Sequence, residues 1–146
     1  MPKNTIAIAA DHGGFELKQA LSQYLHELGV EVCDLGTHGL ESVDYPDYAM
    51  EMSKWITANP DGKGILICGS GIGISIAANR FSHIRAALCH DSLSARLSRQ
   101  HNDANVLCLG ARLIGIETAK DCVSNFLSSK FEGGRHAGRV EKLSNM

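Results

Sequence analysis

The sequence predicts an α/β fold, a three-layer α/β/α arrangement on a five-stranded parallel sheet. Three observations predict it. Apolar runs of strand length alternate with amphipathic helical stretches along nearly all 146 residues, the pattern of helical crossovers onto a parallel sheet. The run 64–68, Gly-Ile-Leu-Ile-Cys, shows no polar alternation, as expected of a strand covered on both faces. That run then breaks at Gly69, Gly71 and Gly73 and continues into a stretch of isoleucines and small residues, a strand–turn–helix passage suited to tight packing.

Taken in order, Thr5–Ala10 reads as the first strand, and Asp11-His12-Gly13-Gly14 leads out of it. Leu17, Leu21, Tyr24, Leu25 and Leu28 recur at helical spacing, with Gly29 as the C-terminal stop. Residues 30–35 form the second strand, and a polar loop follows through residue 43. Asp44-Tyr45-Pro46-Asp47 starts a helix, with proline tolerated in its first turn. Its buried stripe is Tyr48, Met52, Trp55 and Ile56, and Asn59-Pro60-Asp61-Gly62 turns the chain into the central strand. Residues 84–89 form the fourth strand. Asp91 or Ser92 caps the next helix, which points Leu93 and Leu97 inward. Residues 105–109 are the fifth strand. A helix carrying Ile116, Ala119, Val123, Phe126 and Leu127 follows, then the break Glu132-Gly133-Gly134-Arg135-His136 and a last short helix with Arg139, Val140 and Leu143. Without internal repeat or linker, residues 1–146 read as a single Rossmann-like domain.

Composition narrows the function. A hydrophobic share of 44%, a charged share of 21% and a net charge of −2 are those of an ordinary globular chain, and argue against general nucleic-acid binding. No apolar run approaches the roughly 20 residues that span a bilayer, and the first residues lack a signal-peptide pattern. The expectation is a cytoplasmic protein without membrane or nucleic-acid partners. Cys33, Cys68, Cys89, Cys108 and Cys122 are odd in number and contain no C-x-x-C pair, so neither a disulfide framework nor a zinc site fits. Cys33, Cys89 and Cys108 lie in apolar runs and read as core. The seven histidines show no metal-like spacing, and His26, His38 and His83 read as surface residues without partners.

Strand carboxyl ends share one edge of such a sheet. Asp11-His12, Cys68 to Gly73, His90-Asp91 and the segment from Gly110 to Arg112 all fall there, the convergence an active site needs. Gly69-x-Gly71-x-Gly73 is not the dinucleotide fingerprint, because Ile74 stands where the third glycine would be. No Gly-Lys-Ser/Thr follows it, so it is not a P-loop either. It reads as a compact cradle of amides for a carbonyl oxygen or a sugar. Cys68 is then a base or nucleophile facing an oxygen-rich substrate, or a buried structural cysteine beside a turn. Asp11 can meet sugar hydroxyls or cap a helix, and His12 can meet a phosphate. His101 ends a helix, where the dipole favours a histidinium, and from the residues alone reads as a surface C-cap rather than a site residue. Arg135 and Arg139, four apart near a helix start, form a phosphate clamp or a solvated basic face.

Asp11-His12-Gly13-Gly14, Asp44-Tyr45-Pro46, Ile67-Cys68-Gly69-Ser70-Gly71-Ile72-Gly73, Ser98-Arg99-Gln100-His101-Asn102-Asp103, Asn105-Val106-Leu107 and Glu132-Gly133-Gly134-Arg135-His136 together resemble the type B ribose-5-phosphate isomerases of the ribose/galactose isomerase family. The resemblance covers almost the whole chain. It implies a metal-free, cofactor-free aldose–ketose isomerase that interconverts ribose 5-phosphate and ribulose 5-phosphate. It further implies a homodimer or a pair of dimers with each site shared between subunits. Cys68 would move the proton and His101 would assist ring opening, from the neighbouring subunit. Ser70 would relay a proton between oxygens. Asp11, His12, Tyr45, Gly69, Gly71, Ile72, Gly73, Asn102, Arg112, Arg135 and Arg139 would bind substrate. Allose 6-phosphate or another hexose 6-phosphate is the alternative substrate, and a non-catalytic sugar-phosphate sensor the alternative class.

Overall fold

A computed structural model of the chain describes residues 5–146. Five strands form one sheet: β1 (Thr5–Ala10), β2 (Glu31–Asp34), β3 (Lys63–Cys68), β4 (Ala86–Leu88) and β5 (Val106–Gly110). Every pairing is parallel, in the order β2-β1-β3-β5-β4. Helices α1 (Phe15–Glu27), α2 (Tyr45–Ala58), α3 (Ile72–Ala78), α4 (Ser92–Asn102), α5 (Ile116–Ser128) and α6 (Ala137–Ser144) complete the fold, with one 3₁₀ turn, Gly134–His136, before the last. The predicted α/β class and five-stranded parallel sheet are what the structure has.

The period of two along each strand divides the core into two layers. Ile6, Ile8 and Ala10, Ile65 and Ile67, and Leu107 and Leu109 face Leu21 and Leu25 of α1, Ala95 of α4 and Val123 and Phe126 of α5. The intervening residues, Ala7 and Ala9, Leu66 and Cys68, and Val106 and Cys108, face Ala49, Met52 and Ile56 of α2 and Ile74 and Ala78 of α3. The small residues on β1 are what let α2 lie close to the sheet. Burial pushes the Cys89 and Cys108 thiols up and the Cys122 thiol up to about 12, so these three remain protonated packing residues.

Several elements differ from expectation. β2 and β4 are shorter than the apolar runs that predict them. At β4, side chains bond the backbone on both sides: on the open edge the amide of Asn79 bonds both the N–H and the C=O of Ala86 at 2.9 Å. Asn105 accepts the Arg85 N–H at 2.7 Å and donates to the His83 carbonyl at 2.9 Å. Leu93 does not point inward but is 50% exposed, Leu97 is half-buried, and α4 instead buries Ala95, Ser98 and Arg99. Cys33, on the edge strand β2, is half-buried rather than core. His83 is not a free surface residue: its Nε2 lies 3.0 Å from the Ser53 carbonyl and 3.1 Å from Thr57 Oγ1.

Lys18 of α1 is fully buried, a position its sequence context does not announce. Its ammonium lies 2.5 Å from Asp34 Oδ2 and 3.2 Å from Gln19 Oε1, with the Phe15 ring 5.5 Å away. Removing one partner of such a pair strands a charge, whereas replacing both with apolar groups need not destabilise. Asp34→Ala is therefore expected to lower unfolding free energy by about 3 kcal/mol in urea titration, and Lys18→Met in that background to recover most of it.

Candidate active site

β1 and β3 are neighbours whose crossovers leave in opposite directions, β1 toward β2 and β3 toward the β5–β4 side. Their carboxyl ends flank a switch-point crevice, the usual ligand site of open α/β sheets. Backbone contacts build its rim. A Cβ on Gly14 would lie 2.7 Å from the Ile67 carbonyl oxygen, and one on Gly13 would lie 3.3 Å from the Gly69 amide. Gly71 takes a left-handed φ of +77°, and a Cβ there would sit 2.8 Å from the Leu109 carbonyl carbon. This conformation turns the Gly71 N–H toward Cys68 Sγ, 3.2 Å away. Cys68, the last residue of β3, is 4% exposed.

The neighbouring candidates gather on the same rim. Ser70 Oγ accepts the Ile72 N–H at 3.2 Å, fixing the hydroxyl at the start of α3. Arg112 is anchored by its own N–H, which donates to the Gly69 carbonyl at 2.9 Å, and its guanidinium carbon passes 3.4 Å from where a Gly69 Cβ would be. Tyr45, at the start of α2, lies over Gly73, its Cζ 2.6 Å from the position of a Cβ there. The Asp11 carboxylate is buried and accepts the Gly14 N–H at 3.2 Å, so it serves the helix entry although Gly14 is the N-cap. His12 Nδ1 lies 3.1 Å from the Val43 N–H and 3.2 Å from the Val43 carbonyl, which ties the 37–43 loop to the rim. His90-Asp91 also ends a strand here, but Asp91 works as the α4 cap, accepting the Ser94 N–H at 2.7 Å. That amide holds the Asp91 carboxyl below the usual range.

The remaining candidates lie elsewhere in the chain. α4 runs back from the rim, so its 11 residues carry His101 and Asn102 roughly 14–15 Å along the helix axis, toward the amino edge of the sheet. There Asp103 pairs with Arg99 at 2.8 Å and with Arg85, which precedes β4, at 3.5 Å. Arg135 lies in the 3₁₀ turn and Arg139 in α6, both exposed. The 132–136 segment is docked to α4 by the Glu132 N–H, which donates to the Gln100 carbonyl at 3.0 Å. Burial, with His101 and Arg135 nearby, pushes the His136 imidazole down. Glu132 and His136 carry no role in the sequence reading. Their i, i+4 spacing is visible in the sequence, but their approach to His101, more than 30 residues earlier, is not.

Fold and rim thus define a doubly wound α/β protein with a thiol and a cluster of amides at its switch point. The chain belongs to the ribose/galactose isomerase family, whose model, described as Ribose/Galactose Isomerase, matches residues 6–143. Among curated relatives it is 50% identical to ribose-5-phosphate isomerase B of Escherichia coli, over 95% of this chain and 93% of that protein. Among solved structures it is similar to a ribose 5-phosphate isomerase from Thermotoga maritima, with 53% identity, a TM-score of 0.95 and coverage of 97% and 98% of the two chains. It is also similar to ribose-5-phosphate isomerase B of Mycoplasma genitalium, solved with bound ribulose-5-phosphate, with 40% identity, a TM-score of 0.93 and coverage of 97% and 94%.

Two glycines on the rim should respond differently to alanine. At Gly71 the obstacle is backbone and φ is left-handed, whereas at Gly73 it is the ring of Tyr45, which is 39% exposed and can swing away. Gly71→Ala is expected to cost about 2 kcal/mol or more and Gly73→Ala less than about 1 kcal/mol, measured by chemical denaturation.

Proposed function

We propose that this protein is a ribose-5-phosphate isomerase acting through an enediolate, with Cys68 as the proton-transfer base. The observation that carries the reading is the Cys68 sulfur at the end of β3, facing the Gly71 amide at 3.2 Å and flanked by the 69–73 backbone. The Cys68 thiolate takes the C2 proton of the open-chain aldose. The C2–H electrons form the C1–C2 double bond and the carbonyl electrons move onto O1. Backbone N–H groups of the loop stabilise that charge, one such donor being worth about 3 kcal/mol. Ser70 relays the O2 proton to O1, and Cys68 returns its proton to C1, which leaves the C2 ketone. A base that is 4% exposed exchanges its proton with solvent slowly, which favours return to the sugar.

Asp11, His12, Tyr45, Gly69, Gly71, Ile72, Gly73 and Arg112 would line the sugar end from one subunit. His101, which assists ring opening, together with Asn102, Arg135 and Arg139, would come from a second copy. The antiparallel course of α4 supports this division, since one chain holds the two groups at opposite edges. Ile72 and Ile76, one turn apart on α3, are 49% and 55% exposed, and a partner surface would cover them. The arginine pair would hold the phosphate away from the reacting carbons, so that its binding energy positions them. Five free cysteines fit the reducing cytoplasm, and no helix among the described residues is long and apolar enough to cross a membrane.

Cys68→Ala should reduce turnover of ribose 5-phosphate by about 10²- to 10⁴-fold with the circular dichroism spectrum unchanged; near-normal turnover would reject the thiol as the base. Cys68→Ala and His101→Ala chains, each inactive alone, should recover about a quarter of wild-type activity when refolded together, because random pairing gives half the dimers one intact site. No recovery, with mixed dimers demonstrated by mass spectrometry, would reject the shared site. EDTA should leave turnover unchanged in the same assay.

A further inference from the structure

His101 at the end of α4, Glu132 beyond α5 and His136 in the 3₁₀ turn meet at the amino edge of the sheet. The two imidazoles are stacked, with centroids 4.4 Å apart and planes at 13°. Glu132 Oε1 lies 3.8 Å from His101 Nε2 and 3.9 Å from His136 Nε2, and the three donor atoms fall within 4.8 Å of one another. The His136 side chain is only 11% exposed, while those of His101 and Glu132 are 36% and 52% exposed. One donor is therefore fixed and two are free to close. The bond from the Glu132 N–H to Gln100 keeps the carboxylate beside the rings.

Two imidazoles and a carboxylate form the donor set of an open zinc site, three protein ligands with a fourth position left for water or an anion. Nitrogen donors select zinc and its neighbours over magnesium and calcium. Tetrahedral coordination at about 2.0–2.1 Å separates ligand atoms by about 3.3 Å. Each nitrogen–oxygen gap must then shrink by about 0.5 Å and the nitrogen pair by at most about 1.5 Å. The rings must also splay apart, since lone pairs of parallel imidazoles do not converge on one ion. Arg135 precedes His136 and Arg139 follows it by three residues, and both charges act on its imidazole, which favours an anion in the fourth position.

We propose that His101, Glu132 and His136 form a binding site for a divalent transition-metal ion of the zinc class, and that filling it withholds His101 from the sugar and slows isomerisation. The second half rests on the role given to His101 above; the first half does not.

The test uses the full chain with Zn²⁺ in calorimetry and Co²⁺ as a spectroscopic probe. One ion per chain is expected, with tetrahedral cobalt bands, no sulfur-to-cobalt charge transfer, and displacement of cobalt by zinc. Glu132→Gln and His136→Asn should each weaken zinc binding at least about ten-fold, and metal-free Glu132→Gln should keep wild-type turnover. Zinc should slow the wild type reversibly, and Glu132→Gln should need at least about ten-fold more zinc for the same effect. Absence of binding, a sulfur charge-transfer band, or wild-type affinity in both variants would overturn the site. Zinc bound at these residues with turnover unaffected would overturn the inhibition and leave the site standing.

Discussion

Contact between peptide backbones with no side chain between them is the constraint on which the rim depends. β1, β3 and β5 end side by side, and each ends in glycine or leads into one within a few residues. Gly14 lies against the Ile67 carbonyl, Gly71 against the end of β5, and Gly110 against the backbone of Ser70. Any of these with a side chain would push a strand end outward. The same contacts leave N–H groups free of the ladder, and one of them meets the Cys68 sulfur. Packing and chemistry therefore impose the same requirement on the 69–73 loop.

The sulfurs illustrate how position in the sheet decides character. Cys68 and Cys108 lie on the same face of neighbouring strands. Cys108 sits two residues before the end of β5, enclosed on all sides, and burial raises its thiol. Cys68 sits at the last position of β3, where an amide from the following loop reaches it. A displacement of two residues along a strand, roughly 6–7 Å, separates a packing residue from a candidate base.

Strands buried on both faces were legible because apolarity there is uninterrupted, as in β1 and β3, and Gly29 and Asp91 mark helix ends by local chemistry alone. The edge strand β4 is shorter than its apolar run because the Asn105 side chain takes the Arg85 N–H and the His83 carbonyl in place of ladder bonds, and nothing near residue 84 encodes a bond from residue 105. Leu93, Ile72 and Ile76 are apolar at helical spacing yet half exposed, since periodicity reports a face without saying what covers it. At the rim, Cys68, Ser70 and the glycines could be read because neighbours in sequence build it. The meeting of His101 with Glu132 and His136, and the pairing of Lys18 with Asp34, depend on crossovers and have no local signature.

The Asn79 side chain has a consequence for how copies of the chain can associate. It occupies both outward-facing hydrogen-bonding groups of Ala86 with a complementary amide, much as another strand would. Intermolecular growth of the sheet at this point would first have to evict that plug. The side chain thereby guards this point of the edge against open-ended, fibre-like stacking.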